Sequence, residues 1–540
     1  MKAAVPLMAS ATDYVVAASQ QQSDIFLILS LIIVVSSAVF LLRWTRRQGS
    51  PPLPPGPVGL PLLGSLLSLE PDLHRYFARL ARAYGPVFNL RLGTRLCIVL
   101  SSPAAFREAL KDHDVIFANR DPPATATATA TAVPGTQHGL LWSPHGTLWR
   151  TLRKVTVREF ISTSGNEEVR SLRRREVRRA IARLRAREGE PVEVWELVFT
   201  TELNVLTSML WGGLSEDGDV SMKFRAVVKG VVELLGAPNV SDFFPALAVL
   251  DLQGMGRRMK RLWDRYDVLW KKFVEESGRR GEEDEGKGGK AFLQVMVEVL
   301  ERRDQKDPLT VDHVKTLFLV LFHLSTPATT ELILGGTDTT STTIEWAMAE
   351  LMRNPDIMRK IQDELDAVVG KERAIEESDV PKLVYLRAVM KETLRLHPVA
   401  PLLVPRSPSS PCTVGGYTIP KGSKVFVNVW MIQRDAAIWG EDAVEFRPER
   451  FLTAADDKYE FSGTNFAYLP FGSGRRLCVG ISLAEKMVTH MLASFLHSFR
   501  WQLPEGEKLE LGERFGIVLR KAEPLVLVPT ARFDDPDLYS

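Results

Sequence analysis

The densest chemistry in the chain lies in one segment, Phe471-Gly472-Ser473-Gly474-Arg475-Arg476-Leu477-Cys478-Val479-Gly480. Glycines at 472, 474 and 480 permit a tight turn and a close approach of backbone to a flat ligand. Cys478 follows that turn and precedes a helical pattern over residues 481–495. A sulfur near a helix N-terminus is favoured as thiolate by free amides and the helix dipole. Arg476, two residues away, could bind an anionic group. A thiolate held by amides over a flat face is what an axial haem ligand needs. The plainer reading, a Gly-rich turn with a buried cysteine, stays open on this segment alone.

Three other segments pair chemically active residues at short spacing. Trp149 and Arg153 stand at i and i+4, so an indole N–H and a guanidinium can address one carboxylate. A surface Trp–Arg pair is the bland alternative. Glu392 and Arg395 stand at i and i+3 and can pair locally, as in any solvated helix. Gly335-Gly336-Thr337-Asp338-Thr339-Thr340 precedes a helical pattern over residues 341–353. Glycine inside a helix costs about 1 kcal/mol against alanine, so a ligand close by would explain two in a row. A carboxylate beside a hydroxyl can relay protons. Taken alone, the same residues also pass as a helix N-cap.

Composition removes several function classes. With 68 basic and 66 acidic residues the net charge is +2, so no global field points to nucleic acid. The three cysteines, Cys97, Cys412 and Cys478, are far apart, which excludes a CxxC zinc or redox pair and a disulfide framework. Gly472-x-Gly474 lacks the third glycine and the strand–helix context of a dinucleotide fingerprint.

The cysteine segment fits the pattern FxxGxRxCxG of the cytochrome P-450 haem-thiolate monooxygenases at Phe471, Gly474, Arg476, Cys478 and Gly480. The other segments resemble that family's motifs, in family order. Trp149–Arg153 resembles WxxxR, and Gly335–Thr340 resembles (A/G)GxDT(T/S). Glu392–Arg395 resembles ExxR, and Phe446-Arg447-Pro448-Glu449-Arg450-Phe451 resembles the PERF segment. The resemblance implies Cys478 as axial ligand to the iron of haem b, with Trp149, Arg153, Arg406 and Arg476 toward the propionates. It implies Asp338 and Thr339 at the distal face, supporting proton delivery to dioxygen. It implies a buried structural network of Glu392, Arg395 and Arg450. Electrons would come from NADPH through a separate flavoprotein reductase. The Pro54–Pro57 segment, the motif order and the Ala484-Glu485-Lys486-Met487 helix look like plant microsomal members that hydroxylate sesquiterpenes or related lipophilic metabolites. The implied substrate is small and lipophilic, terpenoid- or phenylpropanoid-like, with no nucleic acid partner. Two rivals remain: a rearrangement or dehydration that needs no dioxygen, and a haem-binding but catalytically silent chain.

These residues need elements to position them. Helical patterns dominate, with fewer strand-like runs at 87–92 and 96–100 around Gly93-Thr94 and at 424–429. The expected fold is mainly α with a small β portion, the cytochrome P-450 fold behind one N-terminal transmembrane helix. Residues 25–42 hold no charge and would span about 27 Å as a helix. Arg43, Arg46 and Arg47 follow, which places the remainder in the cytosol. A cleaved signal peptide fits less well, because no small-residue cleavage site follows the run. The expected organisation is a lumenal 1–24, an anchor 25–42, a basic and proline-rich hinge 43–57, and a monooxygenase domain 58–540 at the endoplasmic reticulum membrane.

Four stretches break the pattern. Residues 124–132 read ATATATATA, and residues 278–290 are charged and Gly-rich; both are expected as surface loops. Asn239-Val240-Ser241 matches a glycosylation sequon that cytosolic topology discounts. Residues 320–330, VLFHLSTPATT, interrupt an apolar helix that would run unbroken if Leu319 joined Glu331. Pro327 disfavours a helix interior, so a bulge or loop between two helical halves is expected, with a mis-assigned splice site as the competing explanation.

Overall fold

The computed structural model describes residues 34, 51–127, 139–161, 169–211, 218–283, 327–452 and 459–539. Residues Pro54–Gly415 and Ile419–Ser540 form one compact unit. In the other, small unit, Thr418 N–H donates to Pro52 O at 2.9 Å. The expected span at 25–42 lies, Val34 apart, outside the described residues, and among the described residues no helix is long and apolar enough to cross a membrane.

Helices carry the large unit. They are α1 (Leu73–Tyr84), α2 (Thr147–Val155), α3 (Arg170–Ala186), α4 (Val194–Trp211), α5 (Gly218–Gly236), α6 (Met255–Glu283), α7 (Pro327–Arg353), α8 (Pro355–Val368), α9 (Val384–Leu396) and α10 (Ile481–Ser498). One five-stranded sheet has the order β1–β2–β6–β5–β3, with β1 at Val87–Leu92, β2 at Arg95–Leu100, β3 at Asn119–Arg120, β5 at Arg406–Ser407 and β6 at Lys424–Val427. A three-stranded sheet has the order β4–β8–β7, from Val192–Glu193, Val526–Ala531 and Phe499–Gln502. The mainly helical expectation with a small β portion is met.

The main core gathers along α7, which packs lengthwise on α4. Every residue from Thr340 to Leu351 is buried, so this helix has no solvent face to favour it by amphipathicity. Its hydroxyls are satisfied internally: Thr337, Thr339, Ser341 and Thr343 each donate to the carbonyl four residues back, at 2.8, 2.5, 2.7 and 2.8 Å. Such back-bonding loosens a helix and often bends it.

Several local expectations are corrected. Gly335–Thr340 lies inside α7, not before it, so the N-cap reading fails. Among the described residues the helix runs from Pro327 to Arg353. Residues 327–330 are therefore helical, and residues 320–326 of the expected loop lie outside the described residues. Residues 124–127 form a helical turn with Thr125 buried, because Asp242 accepts the Ala124 N–H at 2.5 Å. Residues 278–283 continue α6 as helix. The strand at 424 ends at Val427, since the Asn428 side chain caps a short helix over Val429–Ile432. Asn239 is itself a buried helix cap, accepting Ser241 N–H at 2.9 Å.

Candidate active site

The cysteine loop is built by glycines where the backbone demands them. Gly472 and Gly474 have φ of +74° and +67°, and a Cβ at Gly474 would strike Asp114 and the Leu110 carbonyl. Gly480, by contrast, has an ordinary φ of −88° as N-cap of α10. Ser473 Oγ donates to Gly463 O at 2.6 Å, and Cys478 N–H returns to Phe471 O at 3.1 Å. Phe471 meets Phe461 edge-on at 5.0 Å. Asp114 pins the outside of the loop through Arg475, accepting its amide at 2.9 Å and its Nε at 3.0 Å.

Cys478 keeps an accessible side chain, and Gly480 N–H donates to its sulfur at 3.3 Å. Burial by the surrounding chain raises its pKa, while that amide and Arg153 lower it without winning. A metal ion at the sulfur would deprotonate it outright. Burial pushes Cys97 up to about 12 and Cys412 up to about 11, which leaves both unreactive.

A bed of cations surrounds the loop. Arg406 is buried and donates to Phe117 O at 3.3 Å and Ser473 O at 2.8 Å, leaving a buried Nε without an acceptor. Arg476 lies 4.2 Å over the Trp149 ring and donates to the carbonyls of Ala118 (2.6 Å), Leu140 (3.0 Å) and Ser143. Trp149 Nε1 donates to Leu140 O at 3.0 Å, and Arg153 lies 5.7 Å over the same ring. The indole is thus spent on backbone here and not free for a carboxylate. Of the α2 pair, Trp149 is buried under Arg476 and Arg153 is half-buried, so the pair is not a plain surface one.

Arg120 joins this bed and nothing in its spacing announces it. On β3 it stands directly opposite Arg406 of β5, and its Nε is also buried without an acceptor. Like charges facing across a ladder repel. Burial first, then Arg406 and Arg476, push the Arg120 pKa down. Burial holds Arg406 at about 10, and burial with Arg406 and Arg153 holds Arg476 at about 10. Buried guanidiniums with orphaned N–H groups fit an anionic ligand that brings its own charge. An accessible sulfur with cations around its loop fits haem, a flat group with one soft-ligand demand and two carboxylates.

Behind the loop, Glu392 and Arg395 are fully buried and doubly bonded at 2.6 and 2.8 Å. Arg395 also donates to the carbonyls of Gln433, Ala443 and Glu445, at 2.6, 2.6 and 3.1 Å. Arg450 Nε and the Arg447 amide both donate to Glu392, at 3.0 and 2.8 Å. Gln433, missed in the sequence, completes the net: it donates to Leu394 O and Arg395 O and accepts Leu469 N–H.

On α7, Gly335 is exposed with open space where a Cβ would stand, and Thr339 one turn on is half-buried. Asp338 points elsewhere. It is buried and ion-paired to Arg520 at 2.6 Å, and Arg520 lies 4.4 Å over Trp195. Burial raises the Asp338 pKa, with Arg520 and Trp195 pulling it back. The two residues expected as one relay therefore face different surroundings.

The comparisons agree with this geometry. A family model described as cytochrome P-450 matches residues 54–528. A flavonoid 3'-monooxygenase of Crocosmia x crocosmiiflora is 39% identical over 92% of this chain and 95% of its own length. Geraniol 8-hydroxylase of Catharanthus roseus is 39% identical over 88% of this chain and 94% of its own. A zebra fish cytochrome P-450 solved with abiraterone superposes with a TM-score of 0.67 at 27% identity, covering 86% of this chain and all of that one. With the family model and full-length relatives in agreement, the chain belongs to the cytochrome P-450 family of haem-thiolate monooxygenases.

Proposed function

We propose that the chain hydroxylates a small terpenoid- or phenylpropanoid-like substrate at the endoplasmic reticulum membrane. The enzyme is a monooxygenase with haem b, supplied with electrons from NADPH through a reductase. The single observation that carries the site assignment is Cys478: an accessible sulfur, amide-bonded at a helix N-terminus, beside arginines that lack an anion. Bound there, haem supplies the oxidising chemistry.

The chain's own residues take the remaining roles. Cys478 holds the iron. Arg120, Arg406 and Arg476 neutralise the propionates, with Trp149 and Arg153 packed between them and α2. The Gly335 face of α7 leaves room for ligand, and the Thr339 hydroxyl stands on that face. Asp338 resupplies the proton to Thr339, and Arg520 must release the carboxylate for it to do so. Val399–Val404 and the segment before Asp338 shape the substrate recess. The relatives named for flavonoids and geraniol support a lipophilic ring or chain as substrate.

A basic groove supports the reductase partner. Arg150, Arg153, Lys154, Arg158 and Arg475 line one surface next to Cys478's loop. A cationic surface steers an acidic redox partner toward the thiolate side. The membrane anchor has its own support in exposed apolar residues. Val58, Leu60, Leu62 and Leu67 stand on one segment, and Val249, Leu250 and Leu252 on another. The β1–β2 turn joins both: Gly93 N–H donates to Leu63 O and Thr94 N–H to Phe243 O, each at 3.0 Å. Such a patch, attached to an apolar run at 25–42, is suited to rest on lipid.

The test is a reduced carbon-monoxide difference spectrum of the full-length chain in microsomes, followed by turnover under isotopically labelled dioxygen. A thiolate-type Soret band that Cys478→Ala abolishes, and labelled product, support the reading. Product without label would instead support a dioxygen-independent rearrangement. A normal band with neither product nor substrate-induced shift would support a silent chain.

A further inference from the structure

Glu331 stands four residues before Gly335 and eight before Thr339, on one stripe of α7. Its carboxylate accepts the Leu141 N–H at 2.9 Å. The neighbouring amides of Leu140 and Trp142 are close enough to help lower its pKa. A Cβ at Gly139 would overlap both carboxylate oxygens, so only glycine lets the backbone come this close.

The carbonyls of the same turn bind elsewhere. Leu140 O accepts Trp149 Nε1 and Arg476 Nη1, each at 3.0 Å, and Ser143 O accepts Arg476 Nη2. Residues 139–143 are therefore a clasp with two sides. Its amides hold α7, and its carbonyls hold an arginine of the cysteine loop and the indole packed on it. Burial pushes the Glu331 pKa up to about 7, with the three amides and Arg476 pulling it back.

We propose that Glu331 is a positioning residue that latches the 139–143 turn to α7 and thereby fixes Arg476 and Trp149 at the haem edge. The latch rests on the assignment of Arg476 to the propionates given above. Without the carboxylate, the Leu141 amide loses its acceptor, and the carbonyls that orient Arg476 lose their anchor. Haem is then held by Cys478 with a less ordered arginine bed.

The test uses purified full-length holoenzyme and follows haem transfer to excess apomyoglobin, with the thiolate-type carbon-monoxide band read in parallel. Glu331→Ala is expected to lose haem about tenfold faster than wild type, the equivalent of one lost charged hydrogen bond. Gly139→Ala, which displaces the carboxylate, is expected to do the same. Glu331→Gln keeps one accepting oxygen and should fall between. Glu202→Gln alters a buried carboxylate on α4 outside the clasp and should keep the wild-type rate. Equal rates for Glu331→Ala and wild type would overturn the latch. So would equal acceleration by Glu202→Gln, which would mean general loosening. If Glu331→Ala does not fold, Gly139→Ala and Glu331→Gln decide. A wild-type chain without a thiolate-type band would sink the haem-site reading and the latch together, whereas a normal band with equal rates would sink the latch alone.

Discussion

The network behind the cysteine loop and the helix pair α4–α7 both bury carboxylates, and they treat them in opposite ways. Behind the loop each acid has arginines. Glu392 meets Arg395 and Arg450, and Glu513 meets Arg75 and Arg434 at 2.7 and 3.3 Å, with His74 at 3.2 Å. Burial alone would raise Glu513, but His74, Arg434 and Arg75 outweigh it and hold its pKa far below the usual range. Along α4–α7, Glu331 and Glu345 lean on backbone amides, Glu202 has only a distant Arg173, and Asp338 has the single pair with Arg520. Burial raises Glu202 to about 8 and Glu331 and Glu345 to about 7, and raises Asp338. One side is a fixed scaffold of charge pairs. The other is a set of carboxyl groups that burial pushes above their ordinary values, to about 7 or 8 for Glu202, Glu331 and Glu345.

The two sides therefore respond to pH with opposite sign. An acid whose folded pKa is depressed, such as Glu513, stabilises the fold above its ordinary value of 4.5, and that stability is lost as pH falls below it. An acid whose folded pKa is raised costs nothing below 4.5. Its cost grows as pH climbs and is complete above about 7 for Glu345 and about 8 for Glu202.

The sharpest break of the contrast is Arg395→Ala. It strands the fully buried Glu392, and removing one partner of a buried pair costs about 3–5 kcal/mol. The expected result is no thiolate-type carbon-monoxide band and little membrane-bound protein. A normal band would mean that Arg450 alone can hold Glu392, and that the scaffold is less rigid than its geometry. Next comes Asp338→Asn, which removes the carboxylate proposed to resupply protons without removing bulk. Turnover should fall on the order of 100-fold with KM little changed and more peroxide released per dioxygen consumed. Unchanged turnover would put proton delivery elsewhere on α7.

Arg120→Met tests the cation bed from both directions. It deletes one of two like charges that face across the β3–β5 ladder, so the haem-free chain should melt no lower than wild type. The same change should speed haem loss about tenfold, because a charge-assisted bond to a propionate is gone. A variant that loses stability and keeps haem would show Arg120 to be structural, held by its bond to Val404 O at 2.6 Å.

These contrasts explain what the sequence could and could not disclose. The cysteine loop was legible because its demands are local: a turn with φ above zero at 472 and 474, then a helix. Glu392 and Arg395 were legible because two residues three positions apart on one helix must meet. Arg120, Gln433, Arg520 and Glu331 were not, because each acts across a gap of tens to hundreds of residues. Arg120 meets Arg406 only through strand register. Arg520 reaches Asp338 only through a C-terminal hairpin that brings β-paired Arg514 and Arg520 back to α7. Pro327 read as an interruption, yet the described helix includes it together with residues 328–330.

The smallest expected effect separates burial from function on the distal side. Glu202 is 1% exposed, and burial raises its pKa to about 8, with only Arg173 pulling it down. At pH 7 the folded chain therefore carries it protonated while the unfolded chain has already ionised it, so most of the cost is present and Glu202→Gln, which carries none, should melt above wild type with turnover unchanged. At about pH 4 the two should melt alike, and the variant's advantage should level off above about pH 8 at a few °C given the size of the chain. A thermal scan of both proteins from about pH 4 to about pH 9 reads the difference directly. Parallel curves would show that water or Arg173 already neutralises Glu202, and that raised carboxylates along α4–α7 are fewer than the burial implies. Diverging curves with turnover unchanged would show that the alkaline weakness of this side is a property of the helix pair itself, separable from the proton supplied by Asp338.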